Sequence, residues 1–387
     1  MGLPVIIDGV RLPSGKLGGV YHATRSADLL AAALAGLMKR TGVSPTSIDD
    51  VIVGCVTQSG EQGGNIARMG SLLAGLPTTV PAATVNRWCG SGHQAIHSAA
   101  QAIAAGDASC VIAAGVENMS RVPVYSDIGG LGNLHEEVVS RYNLVHQAES
   151  GERIAERWEI SREQADQFGM ESQRRASQAA REHRHRELLA YSVKDRDGKT
   201  ISLVRDEGIR DSIDPAKVAS LRLAYRPDGQ GVLTAANCSQ FADGASAVLL
   251  ADEAWAKERG LSPRAKFRAR VVAADDPAWA LMAIVPATKR ALERSGLSID
   301  QIDWIEINEA FSTVVLAWQK EIGAPSEKIN PWGGAIAHGH ALGATGCVLL
   351  SKMMTGLDAS GGRFGLQVMT IGHGQATASV IEILAEA

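Results

Sequence analysis

The chain has 387 residues, 45% of them hydrophobic, and a formal net charge of -4. This length allows a large buried core and two or three domain-sized units, and the mild acidity argues against a dedicated nucleic-acid-binding protein. Neither a signal-peptide pattern nor an apolar run of about 20 residues is present, so no membrane association is expected. The five cysteines are scattered and never form C-x-x-C, which indicates reduced thiols in a cytoplasmic protein.

Apolar strands alternate with alanine-rich helices along the first part of the chain. Hydrophobic periodicity predicts, in chain order, a strand at 4–10, a helix at 26–40, strands at 49–56 and 80–86, a helix at 92–106 and strands at 110–117 and 246–251. The 41 glycines and the aromatic content of only 4% favour close packing of helices on sheets. These patterns indicate a layered α/β fold.

The same plan then occurs a second time. Residues 287–308 repeat 34–54, because each segment has a helix ending in Arg-Ser/Thr-Gly, then Ile-Asp and a strand. Likewise GHALGATGCVLLSKMMTGLDA with RFGLQVMTIG repeats CGSGHQAIHSAAQAIAAG with CVIAAG. Coincidence in an alanine-rich chain is the alternative, but two independent matches predict two copies of one βαβ-type unit.

A segment of different composition lies between the two copies. Residues 118–240 are rich in charges and predict an inserted helical and loop region. Its run RRASQAAREHRHRE is interpreted as a solvated helix face. The alternative interpretation is that the run attracts the phosphates of a ligand.

The stretch NRWCGSG at 86–92 places Cys89 between a predicted strand and the start of a helix. Unpaired N–H groups and the positive end of the helix dipole favour a thiolate there, so a lowered pKa and a nucleophilic role are predicted. A buried cysteine in a tight turn is an equally good alternative. For Cys55, Cys110 and Cys347, which lie in apolar segments, the structural interpretation is preferred.

Two further segments have the composition of an active site. The glycine-rich stretch at 333–346 contains His338 and His340, and a histidine in such a loop can act as a general base for a thiol. A metal is not expected, because no other ligands occur at suitable spacing. The stretch INEAF at 307–311 ends a strand with Asn308, whose amide can hold a water or an oxyanion, or simply cap the next helix.

The three motifs occur in the order found in the thiolase family. N-x-x-C-G-S-G, N-E-A-F and G-G-A-I-A-x-G-H-x-L-G-A-T-G follow one another, and V-I-I-D-G-V-R-x-P, N-I-A-R and T-A-x-N-x-S-x-x-x-D-G-A also fit. The chain resembles thiolases over essentially its whole length. Condensing ketosynthases share that fold but pair their cysteine with two histidines, whereas Asn308 stands in the place of one of them here.

The resemblance implies an α/β fold with two repeated βαβαβαββ halves in five layers. The implied N-terminal half is 1–117 plus 241–255, an inserted loop domain that binds CoA is 118–240, and the C-terminal half is 256–387. Loop 120–150 is expected to shape the acyl pocket. Thiolases are dimers or tetramers, so a homodimer or homotetramer is expected.

The resemblance also implies roles for single residues. Cys89 would be the acylated nucleophile, and His340 would take its proton. His340 and a water on Asn308 would form one oxyanion hole, and the backbone N–H groups of Cys89 and Gly372 would form the other. Ser239 matches a serine near the pantetheine of CoA.

Position 370 departs from the family pattern. Thiolases carry a second cysteine in a C-x-G-x-G loop that transfers the proton at the α-carbon, but here the loop reads T-I-G-H-G and the residue is Thr370. Its hydroxyl is too weak an acid or base to replace a thiol, and general acid–base catalysis typically contributes ~10²–10⁴-fold. His373 is a candidate substitute, or it faces solvent or packs beneath the loop. Ala341, in place of the usual proline, is expected to slacken the His340 loop.

These observations predict an acyltransferase that cleaves 3-ketoacyl-CoA with CoA, or runs the reverse condensation of acetyl-CoA. CoA and acyl-CoA are expected as substrates, without a covalently bound cofactor or a metal. A degradative role in fatty-acid or related lipid metabolism is favoured. The alternatives are a divergent acyl transferase or thioesterase with weak C–C chemistry, a non-catalytic acyl-CoA-binding protein, and a decarboxylating condensing enzyme.

Overall fold

The computed structural model describes residues 2–194, 197–226 and 229–384. The strands of this part are β1 (Pro4–Arg11), β2 (Gly15–Lys16), β3 (Asp50–Gly54), β4 (Ala82–Val85), β5 (Cys110–Asn118), β6 (Tyr191–Lys194), β7 (Thr200–Leu203), β8 (Ala242–Asp252), β9 (Ala265–Ala274), β10 (Trp304–Ile307), β11 (Phe364–Ile371) and β12 (Gln375–Ile383). The helices are α1 (Ser26–Thr41), α2 (Ile66–Leu73), α3 (Ser91–Ala105), α4 (Glu136–Arg141), α5 (Gln147–Arg157), α6 (Arg162–Arg181), α7 (Pro215–Ala219), α8 (Glu253–Glu258), α9 (Ile284–Ser295), α10 (Ser312–Ile322), α11 (Ala335–His338) and α12 (Thr345–Ser360). No helix of this part is long and apolar enough to cross a membrane.

One continuous sheet runs through the molecule. Its strand order is β4–β3–β5–β8–β1–β9–β12–β11–β10, with the short β2 beside β8. The pairs β4–β3, β3–β5 and β10–β11 are parallel, whereas β5–β8–β1 and β11–β12–β9 are antiparallel. The edge strands β1 and β9 meet only where Val5 and Ile6 pair with Lys266 and Ala265. The sheet is therefore two mirrored sheets joined by a short contact.

The two halves repeat one chain path. β1, α1, β3, α2, β4, α3, β5 and β8 form the N-terminal copy, in the predicted βαβαβαββ order. The C-terminal copy is β9, α9, β10, α10, α12, β11 and β12, and its third strand is reduced to a single bridge between Ile305 and Ile329. The repeats read from the sequence correspond to α1–β3 with α9–β10 and to α3–β5 with α12–β11. The predicted doubling is confirmed.

Three hydrophobic clusters show how helices cover the two sheets. Leu30 and Leu34 of α1 lie in the cluster outside the N-terminal sheet. Ile96 of α3 and Met353 of α12 share the cluster between the sheets. Trp318 of α10 lies in the cluster outside the C-terminal sheet. Burial of apolar surface therefore produces the five predicted layers, helix–sheet–helix–sheet–helix.

The middle helices are enclosed by both sheets, which explains their small residues. Every residue from Thr345 to Leu357 in α12 is buried. A β-carbon at Gly343 would lie 2.7 Å from the carbonyl oxygen of Gly54, and one at Gly346 would collide with the backbone nitrogen of His93. The starts of α3 and α12 can touch only because these positions are glycine.

The segment between β5 and β8 contains α4 to α7 and the β6–β7 pair. Arg11, fully buried in β1, donates hydrogen bonds to Asp206 at 2.6 and 3.1 Å and to Glu187 at 3.0 Å. These bonds attach the segment to the sheet. The predicted domain division remains a prediction, and its outer limits, residues 1 and 387, lie outside the described residues.

The basic run in this segment is largely paired with acidic neighbours. Arg174 and Arg175 both bond to Glu171, and the side chain of Arg174 is 60% exposed. Arg184 pairs with Glu182. This arrangement supports the interpretation of a solvated helix face rather than a phosphate-binding surface.

Candidate active site

Cys89 lies in a strained turn between β4 and α3. The residue before it, Trp88, has φ 48, an uncommon conformation for a residue with a β-carbon. The Asn86 side chain holds this turn, because its Oδ1 accepts from the Trp88 N–H at 2.8 Å and its Nδ2 donates to the Val56 carbonyl at 2.9 Å. The Ser91 hydroxyl adds a 2.6 Å bond to the Trp88 carbonyl. Such strain persists only where the surroundings fix it, and here it fixes the position of the thiol.

Burial dominates the electrostatics of Cys89. It raises the pKa of the thiol to about 12, although the backbone N–H groups of Cys89 and Gly372 favour the thiolate. The negative charge of Glu117 raises the pKa further. The prediction of a lowered pKa was wrong, because the start of α3 is enclosed by protein and desolvation of the charged sulfur outweighs the N–H groups. Cys89 is therefore a neutral thiol at pH 7.

His340 is a buried base with a defined tautomer. Its Nδ1 lies 2.7 Å from the Thr345 hydroxyl, which itself donates to the Ala341 carbonyl at 3.0 Å. Because the single hydroxyl proton is used in that second bond, Thr345 accepts from Nδ1–H. The Nε2 atom is left as an acceptor and has no hydrogen-bond partner among the described residues. Burial lowers the pKa of His340 to about 4, so the ring is neutral and can accept a proton.

The loop that carries His340 is held on both sides. The His340 N–H donates to the Gln240 carbonyl at 2.8 Å, and the Gly343 N–H donates to Glu117 at 2.9 Å. Leu342 packs with Cys89 in one small apolar cluster, which brings the two loops together. The expected slackening at Ala341 remains a prediction, although this residue is buried and its carbonyl accepts three bonds at the start of α12, from the N–H groups of residues 344 and 345 and from the Thr345 hydroxyl.

Glu117, at the end of β5, joins the loops around the thiol. Its carboxylate accepts from the N–H groups of Val56 at 3.0 Å and Thr57 at 3.1 Å, and from the Gln62 amide at 2.9 Å. Together with the bond from Gly343, these contacts connect the turn after β3 to the His340 loop. Glu117 is thus a positioning residue of the site.

Asn308 and Thr370 lie side by side, both fully buried. The Asn308 amide nitrogen donates to the Thr370 hydroxyl at 3.2 Å, and Asn308 Oδ1 has no partner within the described part of the chain. Buried polar atoms are nearly always paired, so the two orphans, Asn308 Oδ1 and His340 Nε2, mark a place for ligand or water.

The remaining predicted residues lie at different distances from this centre. Ser239 is half-buried, and its N–H donates to the Ala310 carbonyl at 3.0 Å, two residues from Asn308. His338 lies deeper, with its Nε2 3.3 Å from the buried ammonium of Lys352, and so belongs to the core. Cys55, Cys110 and Cys347 are buried free thiols, in line with the structural interpretation preferred for them.

His373 forms a wall beside Cys89 with two other aromatic rings. Its imidazole stacks on Trp88 with centroids 4.7 Å apart and an interplanar angle of 28°, and Trp88 lies 6.0 Å from Tyr125. Tyr125 and His373 line a cavity of about 290 Å³ whose other walls include loop residues Leu131, Leu134, Val139 and Leu144. His373 is therefore partly enclosed rather than solvent-facing, and burial lowers its pKa.

Family comparison agrees with this geometry. Residues 4–254 match the N-terminal domain of thiolases, and residues 261–383 match the C-terminal domain. The chain belongs to the thiolase family. It is therefore an acyltransferase.

Individual thiolases align along nearly the whole chain. A steroid 3-ketoacyl-CoA thiolase of Mycobacterium tuberculosis is 44% identical over 390 residues, which cover 98% of this chain and 94% of the relative. A 3-ketoacyl-CoA thiolase of Aliivibrio fischeri is 40% identical over 384 residues, 98% of each chain. A beta-ketoadipyl-CoA thiolase of Acinetobacter baylyi is 38% identical over 396 residues, 97% of this chain and 98% of the relative.

Sequence reasoning missed three residues of this thiolase site. Thr345 lies in the quoted G-A-T-G motif, five residues after His340, and could have been found as a partner of the base. Glu117 is a lone carboxylate at the end of an apolar strand, which is a weaker signal. Tyr125 lies in a loop without periodicity, and nothing in the sequence marks it.

Proposed function

We propose that this protein cleaves a 3-ketoacyl-CoA by thiolysis with CoA, and catalyses the reverse condensation, through an acyl thioester on Cys89. The observations that carry the proposal are a buried thiol that faces two backbone N–H groups and a buried imidazole, on the loop whose Leu342 packs against Cys89, that has an open acceptor at Nε2. The names of the aligned thiolases support the same reaction.

The first step transfers a proton as the new bond forms. Because Cys89 and His340 are both neutral, His340 Nε2 takes the thiol proton while the sulfur attacks the 3-keto carbon. The oxygen that becomes negative accepts from the N–H groups of Cys89 and Gly372, which already point at the sulfur. The C2–C3 bond then breaks and leaves acyl-Cys89 and the enolate of acetyl-CoA.

The enolate oxygen needs a second donor set. Protonated His340 Nε2 and a water on Asn308 fit this role, because each side chain is buried and has an open hydrogen-bonding atom. CoA then attacks acyl-Cys89 and releases the shortened acyl-CoA. Thr370 accepts a bond from Asn308, and we propose that it helps to fix the orientation of that amide rather than to transfer the proton.

CoA is proposed to bind against the segment between β5 and β8, with its pantetheine near Ser239. A surface cavity of about 340 Å³ beside this serine is lined by Arg210, Lys217 and Gln240. The two cations fit the phosphates of CoA. We expect Lys217→Ala to raise the KM for CoA with little effect on kcat.

We propose a catabolic role with an acyl group that fills the 290 Å³ cavity beside Trp88. The aligned thiolases are named for steroid, unspecified 3-ketoacyl and β-ketoadipyl substrates, so family membership leaves the acyl group open. The apolar lining of the cavity favours an apolar acyl chain over a dicarboxylate.

We further propose that the protein is a homodimer or homotetramer. β4 is an edge strand of the sheet, and α2 beside it exposes Met69, Leu72 and Leu73, which are 45%, 40% and 59% accessible. An open edge next to exposed apolar side chains is typical of an interface. Light scattering on the purified protein will give the oligomer mass, and a monomer would contradict this proposal.

The decisive experiment measures thiolysis of acetoacetyl-CoA and of a longer 3-ketoacyl-CoA with free CoA. Turnover is expected, together with an acylated Cys89 in intact-mass spectra. Cys89→Ser should lower turnover by at least ~10⁴-fold, as expected for loss of a covalent nucleophile. Undiminished turnover in that variant would contradict the proposed mechanism.

A further inference from the structure

The reaction proposed above lacks one group, the acid that protonates the departing carbon. At Thr370 a thiol is replaced by a hydroxyl, which accepts a hydrogen bond from Asn308 and is fully buried. An aliphatic hydroxyl cannot exchange a proton with carbon near neutral pH at a useful rate. Some other side chain facing the reacting atoms must supply that proton.

Three residues with strained backbones meet beside Cys89. Trp88, Tyr125 and His373 have φ values of 48, 68 and 62, in the region that residues with a β-carbon rarely adopt. Their rings contact one another, with Trp88 between the other two. Strain of this kind clusters at active sites, where it aims side chains that the fold would otherwise place elsewhere.

Two members of this group can exchange a proton, and Tyr125 is the better placed. The imidazole of His373 lies flat against Trp88, and within the described residues its pKa is affected by burial rather than by Cys89. In contrast, the Tyr125 ring lies 6.0 Å from that of Trp88 at a tilt of 54°, with its edge free of the stack. Burial, and to a lesser extent Cys89, raise the pKa of Tyr125 to about 12, so the phenol is protonated.

The surroundings of Tyr125 agree with this placement. Val124, its neighbour in sequence, packs against the apolar cluster that contains Cys89. Tyr125 lines the cavity of about 290 Å³ together with His373, whose ring stacks on Trp88, the residue next to Cys89. A phenol that is open to the substrate cavity can donate directly to a bound ligand.

We propose that the Tyr125 hydroxyl is the catalytic acid and base that takes the place of the missing second cysteine. This inference rests on the proposed thiolysis reaction. When the C2–C3 bond breaks, its electron pair stays on C2, the phenol O–H proton moves to C2 and acetyl-CoA is complete. The phenolate then takes the proton of the incoming CoA thiol, and the CoA thiolate attacks the acyl group on Cys89. The C–S bond to Cys89 breaks, and the departing sulfur takes back the proton that His340 accepted in the first step. The phenol is restored, and one CoA is consumed for each bond cleaved.

The test removes the hydroxyl and keeps the ring. Tyr125→Phe is expected to lower thiolysis by ~10²–10⁴-fold, the usual contribution of general acid–base catalysis. It should equally slow the exchange of acetyl-CoA methyl protons in deuterated water. Alkylation of Cys89 by iodoacetamide uses only the thiol and the base that takes its proton, and it should stay within about three-fold of the parent, because no proton passes through the phenol in that reaction. Tyr225→Phe, which makes the same change in a ring stacked on His146, is the matched control.

A second variant restores an acid at the other position. Adding Thr370→Cys to Tyr125→Phe should recover thiolysis and proton exchange, because a thiol at 370 lies beside Asn308 and is a far stronger acid than an aliphatic hydroxyl. His373→Gln should retain both activities within about ten-fold, since a loss of stacking affects only alignment.

Several outcomes would overturn the inference. One is Tyr125→Phe with unchanged thiolysis, and another is a loss of Cys89 alkylation by iodoacetamide in this variant, which would mean that Tyr125 builds the thiol site. A third is a His373→Gln variant that loses proton exchange while Tyr125→Phe keeps it. If the parent protein itself leaves Cys89 unacylated, the proposed function fails first and the inference falls with it.

Discussion

The two halves of the molecule share one chain path but contribute different groups to the candidate active site. In the N-terminal half the segment before the middle helix is a short strained turn that presents a thiol, Cys89. In the C-terminal half the equivalent segment before α12 is a longer loop that presents the acceptor nitrogen of His340. Strands and helices are repeated because both halves must fill the same layers, whereas the connecting segments were free to acquire different chemistry.

The halves also hold the segment between β5 and β8 in different ways. The N-terminal half uses a buried cation, since Arg11 of β1 bonds to Asp206 and Glu187. The C-terminal half uses a buried carboxylate, since Glu309 accepts from the Ser172 hydroxyl of α6 at 2.7 Å. The guanidinium of Arg11 is satisfied by carboxylates of the segment. The carboxylate of Glu309 is satisfied by hydroxyl, amide and N–H donors.

The largest effect is expected from breaking the cationic attachment. Arg11→Met leaves two buried carboxylates without their partner and should destabilise the protein by ~3–5 kcal/mol. Thermal or urea unfolding will measure this loss. Arg174→Met, which breaks an exposed pair with Glu171, is the control, and its cost should be below about 1 kcal/mol. Equal effects of the two changes would refute the role given to Arg11.

A smaller effect, on kcat, is expected from a change in the loop that carries His340, with the turn that carries Cys89 left intact. Thr345→Val removes the acceptor of His340 Nδ1–H, so the ring loses its fixed tautomer and orientation. We expect kcat to fall by about 10- to 100-fold with little change in KM, because only proton transfer is disturbed. Thr355→Val, in the same helix, removes a hydroxyl that bonds only to the Ser351 carbonyl and should keep full activity. A fall in KM alone after Thr345→Val would not fit this account.

The pH dependence of kcat/KM in the parent protein tests the contributions of the two halves without any substitution. His340 must be neutral to accept the thiol proton, and burial lowers its pKa to about 4. Cys89 and Tyr125 each have a pKa of about 12, so both remain protonated over the working pH range. The kcat/KM is therefore expected to change little between about pH 6 and pH 9 and to fall only as the pH approaches 4. An acidic inflection near about 6.5 would show instead that a solvent-exposed histidine limits the rate.

The smallest effect, on stability alone, is expected from substitution of Cys347, a thiol in the middle helical layer. The sulfur of Cys347 in α12 lies 3.5 Å from the Gly92 carbonyl, and this residue is fully buried. Cys347→Ala should leave acylation of Cys89 unchanged and reduce stability by about 1 kcal/mol, the usual cost of a conservative core change. Intact-mass spectra after incubation with acyl-CoA will check the first expectation, and a missing acyl adduct would contradict it.

Much of the frame could be read from the sequence, because periodicity reports burial directly. The 3.6-residue pattern of α1 and the apolar runs of β3 and β5 predicted those elements to within a few residues. The repeated Arg-Ser/Thr-Gly ending predicted the doubled path. Cys89, His340 and Asn308 were found because they lie in motifs whose local chemistry is already suggestive.

Long-range properties were out of reach for physical reasons. The pKa of Cys89 depends on how much protein covers the start of α3, which no local pattern reports. Tyr125 lies in a strained loop that folds against Trp88, although the two residues are 37 positions apart in the sequence (125 minus 88). Arg11 gains its partners from residues 176 and 195 positions away.

The glycine contacts between the starts of α3 and α12 also limit how this enzyme can change. Since the backbones of Gly92, Gly343 and Gly346 leave no room for a β-carbon, neither loop can be redesigned alone. A library that randomises one loop will return mostly glycine at these positions, however good the new active-site chemistry is. The turn that carries Cys89 and the loop that carries His340 must therefore change together.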